Sequence, residues 1–551
     1  MKIGIISVFT DYHRRGAHHR GVLQPQIGPL IAALLPAHAD VDVINDAWDD
    51  PDWSRRYDLL FISCLHSDFD RARQISHYWR RRGAKTVLGG TMASTYSALC
   101  APYFDVIAVG DPEGLVAQIV ADFEAGVLQD RYVATPFDAQ RLPHPRLDLA
   151  VRQQVLPLAI EATRGCPFTC EFCALTGIGT RFHTRPAAAI AKELTAGRRA
   201  LAGLASWLRR HVAIFYDNNL GGNPAHMRAI CAALAPLGIR WGACVTFNVI
   251  CDEQNVKALA AGGCRCVFVG LESFNRDTIR EMGKHQNVLA ETQAAIRLCH
   301  VNGILVMAGL MLSPLGDSLE YIESIPAQLR AVGLHVPTYI CFETPFPGTP
   351  HFARLAAAGG GALMPNTLLR DLNGYTLAVP PRHATPEAFV AAYKRVSKKI
   401  YSRRARLGKF LADLPRLAFR GRAAPLLFNL YELLFADGRL NAARNFIAGT
   451  DIEPPETHAV PFTDADFDSA EERARIIEPW RVSDGEGRVL PMWLGAKALY
   501  RAKGRINEAV QVMAMPRFAA AAPAPAPEKH PRVLAMPPEL AGERGLEAVG
   551  G

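Results

Sequence analysis

Twice along this chain, short apolar runs alternate with amphipathic stretches. In the first series, through residues 1–120, strand-like runs fall at Lys2–Phe9, Val41–Ile44, Leu59–Cys64, Thr86–Leu88 and Val106–Val109. Between them, Ile27–Leu35 and Phe69–Arg82 place apolar residues at helical spacing. Buried apolar strands separated by helices predict an α/β fold with a parallel, doubly wound sheet. Such sheets take ligands at the carboxyl ends of their strands. Four prolines, Pro136, Pro143, Pro145 and Pro157, mark residues 136–157 as a linker.

The second series runs from about residue 158 to 350. Its strands are Leu158–Glu161, Val212–Tyr216, Trp241–Val245, Cys266–Val269, Val306–Met311 and Thr338–Phe342, with helices such as Ala187–Arg199 and Met227–Leu234 between them. Six βα units predict a partial barrel, left open because closure takes eight. Beyond residue 385 the pattern is mainly helical. Val390–Lys409 is strongly basic (Lys394, Arg395, Lys398, Lys399, Arg403, Arg404, Arg406 and Lys409), and a mixed apolar and basic stretch, Phe410–Phe435, follows. Residues 516–551 are rich in Ala and Pro, show no period, and read as a disordered tail. The expected organisation is therefore a Rossmann-like domain over 1–135, a linker over 136–157, a partial (β/α)6 barrel over 158–384, a helical region over 385–515 and the tail.

Composition narrows the class. Of 551 residues, 49% are hydrophobic and 21% charged, as in a globular protein. The net charge of +8 is too small and dispersed for a nucleic-acid binder. No apolar run approaches the ~18–20 residues of a membrane span. The opening MKIGIISVF reads as a first buried strand rather than a signal peptide. Twelve cysteines are too sparse for a secreted disulfide scaffold, so a reducing cytoplasm is expected.

Three of those cysteines crowd into Thr163-Arg-Gly-Cys-Pro-Phe-Thr-Cys-Glu-Phe-Cys173. The spacing of Cys166, Cys170 and Cys173 is C-x3-C-x2-C, in the loop after the first strand of the second series. Three thiolates on one loop can hold an iron–sulfur cluster or zinc. On a [4Fe–4S] cluster they leave one iron open. Zinc needs a fourth ligand, which His183 could supply; chance clustering is the remaining reading.

Spacing, loop position and Phe172 before the third cysteine resemble the radical S-adenosylmethionine (SAM) superfamily. In that family SAM chelates the open iron, and one electron cleaves it to a 5′-deoxyadenosyl radical that abstracts hydrogen from an unactivated carbon. The resemblance implies SAM contacts at Phe172, at Asp217 in Phe-Tyr-Asp-Asn-Asn, and at Glu272 in Val-Gly-Leu-Glu-Ser. Read without it, Asp217 is a helix cap and Glu272 a loop ion pair. Pro345-Phe-Pro-Gly-Thr-Pro350 is a rigid turn after the last strand.

The first domain lacks Gly-x-Gly-x-x-Gly after its first strand, which argues against NAD. Instead Asp11-Tyr-His-Arg-Arg-Gly16, Ser63-Cys-Leu65 and Gly89-Gly90 follow in the order of the cobalamin signature D-x-H-x-x-G, S-x-L, GG, which they resemble. The resemblance implies cobalamin contacts at Ser63, Gly89 and Gly90. It also makes His13 a candidate cobalt ligand, oriented by Asp11; a solvated polar loop is the plain alternative. Gln24-Pro-Gln-Ile-Gly-Pro-Leu resembles the helix entry of the same proteins.

Val267-Phe-Val-Gly-Leu-Glu-Ser and Glu281-Met-Gly-Lys-His-Gln-Asn287 resemble the hopanoid-methylase-like subgroup of cobalamin-dependent radical SAM enzymes. That resemblance implies a methyltransferase acting on unactivated carbon. It also implies a small-molecule substrate, hydrophobic or membrane-derived, and an electron donor such as flavodoxin or ferredoxin. A radical cyclase or rearrangement enzyme is the alternative within the family, and a non-catalytic cobalamin- or metal-binding protein the alternative outside it. The first domain has only Cys64 and Cys100, too few for the second cluster of a methylthiotransferase, and no cysteine follows Cys341. The basic helix and its apolar neighbour read either as a peripheral contact with anionic lipid or as a solvated face.

Overall fold

The computed structural model describes residues 1–10, 25–134, 143–153, 155–175, 182–358, 361–418, 430, 446–450 and 459–490. Six strands build the first sheet: β1 (Lys2–Ser7), β2 (Asp40–Asn45), β3 (Leu59–Ser63), β4 (Lys85–Gly89), β5 (Val106–Val109) and β6 (Arg131–Val133). All pair in parallel, in the order β2-β1-β3-β4-β5-β6. Helices cover both faces, so Ile3, Ile5, Ile6, Leu59, Leu60 and Ile62 are all buried, whichever face they point to. That is why the strands read as continuous apolar runs. Strand β6 escaped the sequence pattern because its three residues alternate exposed and buried. Strand order reverses between β1 and β3, and a ligand crevice opens at such a switch point. The loop that would carry Asp11, His13 and Gly16 lies outside the described residues.

The second sheet is built from β7 (Leu158–Ile160), then, after a two-residue ribbon of β8 (Thr163–Arg164) with β9 (His183–Thr184), from β10 (Val212–Phe215), β11 (Arg240–Cys244), β12 (Cys264–Glu272), β13 (Leu305–Leu312) and β14 (Tyr339–Phe342). It is parallel, in the order β14-β13-β12-β11-β10-β7, and does not close: β7 and β14 are its edges. Its outer residues, such as Val267, Val306 and Ile340, pack beneath helices in one large core. The alternate positions, among them Ile214, Cys244, Phe268 and Cys341, stay partly accessible and line the concave side.

Two features depart from the periodicity. The basic stretch expected as one helix is two, Pro386–Ile400 and Arg403–Ala418, broken at Tyr401 and Ser402. Residues 459–490, within the region expected to be mainly helical, hold one α-helix, Ala470–Ile477, and fold back onto the first domain. There Val460, Ile476 and Val482 share a core with Ile6, Leu60, Phe69 and Trp79. The Arg73 guanidinium donates to the carbonyls of Arg475 and Glu478, and Asp70 accepts from the Trp480 amide. The expected tail, 516–551, lies outside the described residues. No helix among the described residues is long and apolar enough to cross a membrane.

Candidate functional site

The cysteine loop leaves β8 at the carboxyl edge of the second sheet. Cys170 is buried, while Cys166 and Cys173 are partly accessible. The Cys173 amide donates to the Cys170 carbonyl at 3.2 Å, which curls the last turn of the loop. Two side-chain amides aim at the sulfurs. Asn219 Nδ2 lies 3.6 Å from Cys166 Sγ, and Gln286 Nε2 lies 3.6 Å from Cys170 Sγ. Burial pushes the Cys170 thiol up, and Gln286 and Lys284 oppose it. Donors and a cation around thiols suit thiolate ligands, whose negative charge needs both. The donor set therefore fits a sulfur-ligated cluster. Among the described residues, no group of three or more His, Cys, Asp or Glu side chains is gathered to hold a metal ion, neither the three cysteines by themselves nor the cysteines with His183. Burial pushes Cys244 on the concave face up to about 11, so that thiol stays protonated.

Three anchors hold the loop. The first is Asp217, just past β10 and fully buried. It accepts from the Ala162 amide at 3.0 Å, from the Thr163 amide, and from Thr163 Oγ1 at 2.5 Å. Burial pushes its carboxyl up to about 7 despite these donors. Asp217 is thus a clamp on the strand that enters the cysteine loop, and the cap of the next helix is Asn223 instead. The second is Glu171, whose amide donates to the Met282 carbonyl and whose own carbonyl accepts from the His351 amide, both at 3.0 Å. Its carboxylate meets Arg354 at 2.5 Å. His351 opens the helix Pro350–Ala357, so the rigid proline turn supports the cysteine loop. The third is Arg164, which donates to Glu161 at 2.6 Å, to Asp111 at 2.8 Å and to Glu113 at 2.8 Å. Asp111 and Glu113 follow β5, so one guanidinium ties the cysteine loop to the carboxyl edge of the first sheet.

Glu272 ends β12 at a register shift and has φ of 64°, a conformation rarely adopted by side chains other than Gly and Asn. Its carboxylate folds back over Gly270 and pairs with Lys284; both side chains are under 10% exposed. A Cβ on Gly270 would collide with both partners, so that glycine makes room for the pair. Asn287 Nδ2 donates to the Gly270 and Leu271 carbonyls at 3.0 Å each and fixes the bulge. Lys284 Nζ also lies 5.7 Å from the centre of the Phe172 ring. Phe172 and Glu272 therefore meet through Lys284, whereas Asp217 is consumed by the backbone.

In the first sheet, Ser63 and Gly89 are register partners at the ends of β3 and β4. Gly90 has φ of 84°, and a Cβ there would sit 2.9 Å from Ser63 Oγ. A Cβ on Gly89 would meet nothing within 4 Å. Gly89 thus leaves this edge open to a ligand's close approach, while Gly90 lets the chain pack against Ser63. Lys284, Asn219, Gln286 and Arg164 were missed as functional residues. Their motifs, Asp-Asn-Asn and Met-Gly-Lys-His-Gln-Asn, were visible, but their contacts form only when distant segments fold together.

The chain is similar to known proteins in the region of this site. A family model described as the radical SAM superfamily matches residues 160–326. Bacteriochlorophyllide d C-8(2)-methyltransferase of Chlorobaculum tepidum is 23% identical over 341 residues, which cover 60% of this chain and 75% of that protein. Hopanoid C-2 methylase of Rhodopseudomonas palustris is 24% identical over 358 residues, 61% of this chain and 65% of that protein. Among solved structures, the cobalamin-dependent S-adenosylmethionine radical enzyme OxsB superposes with a TM-score of 0.54 at 12% identity, over 86% of this chain and 78% of that one. With the matched residues, the cysteine loop and the open parallel sheet in agreement, residues 160–326 carry a radical SAM domain.

Proposed function

We propose that this enzyme is a cobalamin-dependent radical SAM methyltransferase that alkylates an unactivated carbon of a small molecule. The observation that carries the proposal is the Arg164 bridge, which joins the cysteine loop to the carboxyl edge of the first sheet, on which Ser63, Gly89 and Gly90 also lie. Cys166, Cys170 and Cys173 would hold a [4Fe–4S] cluster, and Ser63, Gly89 and Gly90 would border cobalamin. Together with SAM, these groups supply a 5′-deoxyadenosyl radical and a transferable methyl group.

The chain's own residues bind, orient and shield. Glu272 and Lys284 present a carboxylate beside an ammonium, which matches the zwitterionic amino-acid end of SAM. Asn219 and Gln286 donate to the thiolates. Asp217, Glu171 and Arg164 fix the loop that presents them. The concave face offers stacked rings, Phe268 and Tyr339 at 5.4 Å, for an apolar substrate. An electron donor such as flavodoxin or ferredoxin is part of the proposal. Supporting it, two of the proteins named above are a bacteriochlorophyllide d C-8(2)-methyltransferase and a hopanoid C-2 methylase.

Anaerobic reconstitution with iron, sulfide and cobalamin tests it, with 5′-deoxyadenosine and product mass as readouts after addition of reductant and SAM. The expected product gains one methylene. Cys166→Ala, Cys170→Ala and Cys173→Ala should lose iron and deoxyadenosine but keep corrinoid. Gly90→Val should lose corrinoid and keep iron. Zinc in the cysteine site or no deoxyadenosine would overturn the radical reading. A product without added mass would replace methylation by cyclisation or rearrangement.

A further inference from the structure

The helix Arg403–Ala418 is turned inside out by the standard of a soluble surface helix. Such a helix points leucines inward and charges outward. Here Lys409 and Asp413 face inward as an ion pair at 3.2 Å, with both side chains 5% exposed. Leu407, Leu411 and Leu414 face outward and are 49%, 55% and 37% exposed. Their spacing of i, i+4 and i+7 places them on one stripe. The same outward face begins with exposed Arg403 and Arg404. The preceding helix, Pro386–Ile400, adds exposed Lys394, Arg395, Lys398 and Lys399. Arg395 pairs with Glu323, and Lys394 lies 4.2 Å from the centre of the Phe446 ring. Lys398, Lys399, Arg403 and Arg404 form no ion pair among the described residues.

We propose that this face docks on an anionic lipid bilayer, with the leucine stripe in the boundary between headgroups and acyl chains and the cations on the headgroups. Exposed leucines flanked by unpaired cations are the composition of an interfacial helix. The sign of the charge selects the occupant. An anionic surface neutralises these cations, whereas a second copy of the chain would bring like charges together. The inward side of the helix carries the buried Lys409–Asp413 pair, and its apolar side faces out. This inference does not depend on the cofactor assignment, because none of these residues lies at the cysteine loop or the cobalamin edge.

Vesicle flotation of the full chain tests it, using phosphatidylcholine with and without phosphatidylglycerol. The chain should float only with the anionic vesicles and should be released by high salt. Each cation removed at the surface should weaken partitioning roughly fivefold. Lys398→Glu/Lys399→Glu should therefore bind far less, and so should Leu407→Asp/Leu411→Asp. Unchanged circular dichroism would show that these exposed substitutions leave the fold intact. Absence of wild-type binding to anionic vesicles would overturn the proposal, as would equal binding by the leucine variant. A concentration-dependent dimer abolished by Leu407→Asp/Leu411→Asp, without vesicle binding, would assign the face to a second copy and likewise overturn it.

Discussion

Replacing Lys284 by Met tests the proposed SAM pocket before any cofactor is added. The Glu272 carboxylate is 8% exposed and its partner ammonium 9%. Loss of one member strands the other charge in a place that water scarcely reaches. Breaking a buried pair in this way costs about 3–5 kcal/mol, whereas replacing both members by apolar groups of similar volume is close to neutral. Lys284→Met and Glu272→Leu should therefore each destabilise the chain by about 3–5 kcal/mol. The double variant should recover most of that loss, and a favourable coupling of about 2 kcal/mol or more would measure the pair. Glu272 adds a term of its own. Its φ of 64° costs a non-glycine residue roughly 1–3 kcal/mol. Glu272→Gly should therefore be milder than Glu272→Leu, since it removes strain along with the charge. Urea unfolding of the full chain, followed by circular dichroism, measures all four variants. SAM binding by calorimetry supplies the functional readout: the double variant should be stable and should fail to bind. If Lys284→Met cost less than about 1 kcal/mol, in the range of an exposed pair, the burial argument would be refuted.

The other expectations concern proton uptake and the sulfur donors. His66 is buried with Nε2 unpartnered, and burial pushes its imidazole down to about 4 from an ordinary 6.5. Unfolded chains take up that proton below pH 6.5 and the folded chain does not, so the wild type loses stability as pH falls from 6.5 to 4. By that shift, it should lose about 3 kcal/mol more than His66→Phe between pH 7 and pH 4 in urea titrations; parallel curves would dismiss the effect. Asn219→Leu and Gln286→Leu each remove one donor to a cysteine sulfur. A hydrogen bond to a charged group is worth about 1.5 kcal/mol and is stronger to the more negative reduced cluster, so each should lower the midpoint potential of a reconstituted cluster, by at most about 60 mV. Potentiometry with electron paramagnetic resonance reads that shift, and an unchanged potential would show that the amides do not engage the sulfurs.

Local chemistry in the sequence made much of this molecule legible. Buried parallel strands need apolar residues on both faces, so β1, β3 and β5 announced themselves as runs, and the six strands of the second sheet did the same. The cysteine loop was visible because its ligands must come from one short segment. Glu272 was legible as a strand-end carboxylate, but its left-handed backbone was not, since that conformation ordinarily calls for glycine. Its partner Lys284 lies beyond an intervening helix, and no local period links the two. Asp217 shows the opposite failure. A carboxylate at a strand end looks free in a sequence, and only folding reveals that two amides and a hydroxyl have already claimed it. The return of residues 459–490 to the first domain left no periodic trace, because the segment is mostly irregular and is held by side-chain contacts such as Arg73 with two backbone carbonyls.

Arg164 shows how these pieces act together. Three carboxylates, Asp111, Glu113 and Glu161, surround one guanidinium. Glu113 is 2% exposed, so this is a partly dry site in which three negative charges repel one another. Among the described residues the guanidinium is the cation paired with all three, and its planar fork of five donors can serve several carboxylates at once where an ammonium could not. The cluster is therefore cohesive only while the loop after β5 and the cysteine loop stay together. Either one moving away would leave carboxylates near each other without their cation. Electrostatics thus fixes the spacing between the carboxyl edge of the first sheet and the segment that carries Cys166. Under the proposed function, in which each sheet would hold one cofactor, transfer of a group between them would require that kind of fixed spacing. Asp217 completes the restraint from the other side by clamping Thr163, the residue just before Arg164. The entry to the cysteine loop is thus held at two successive residues, Thr163 and Arg164, and its far side at Glu171.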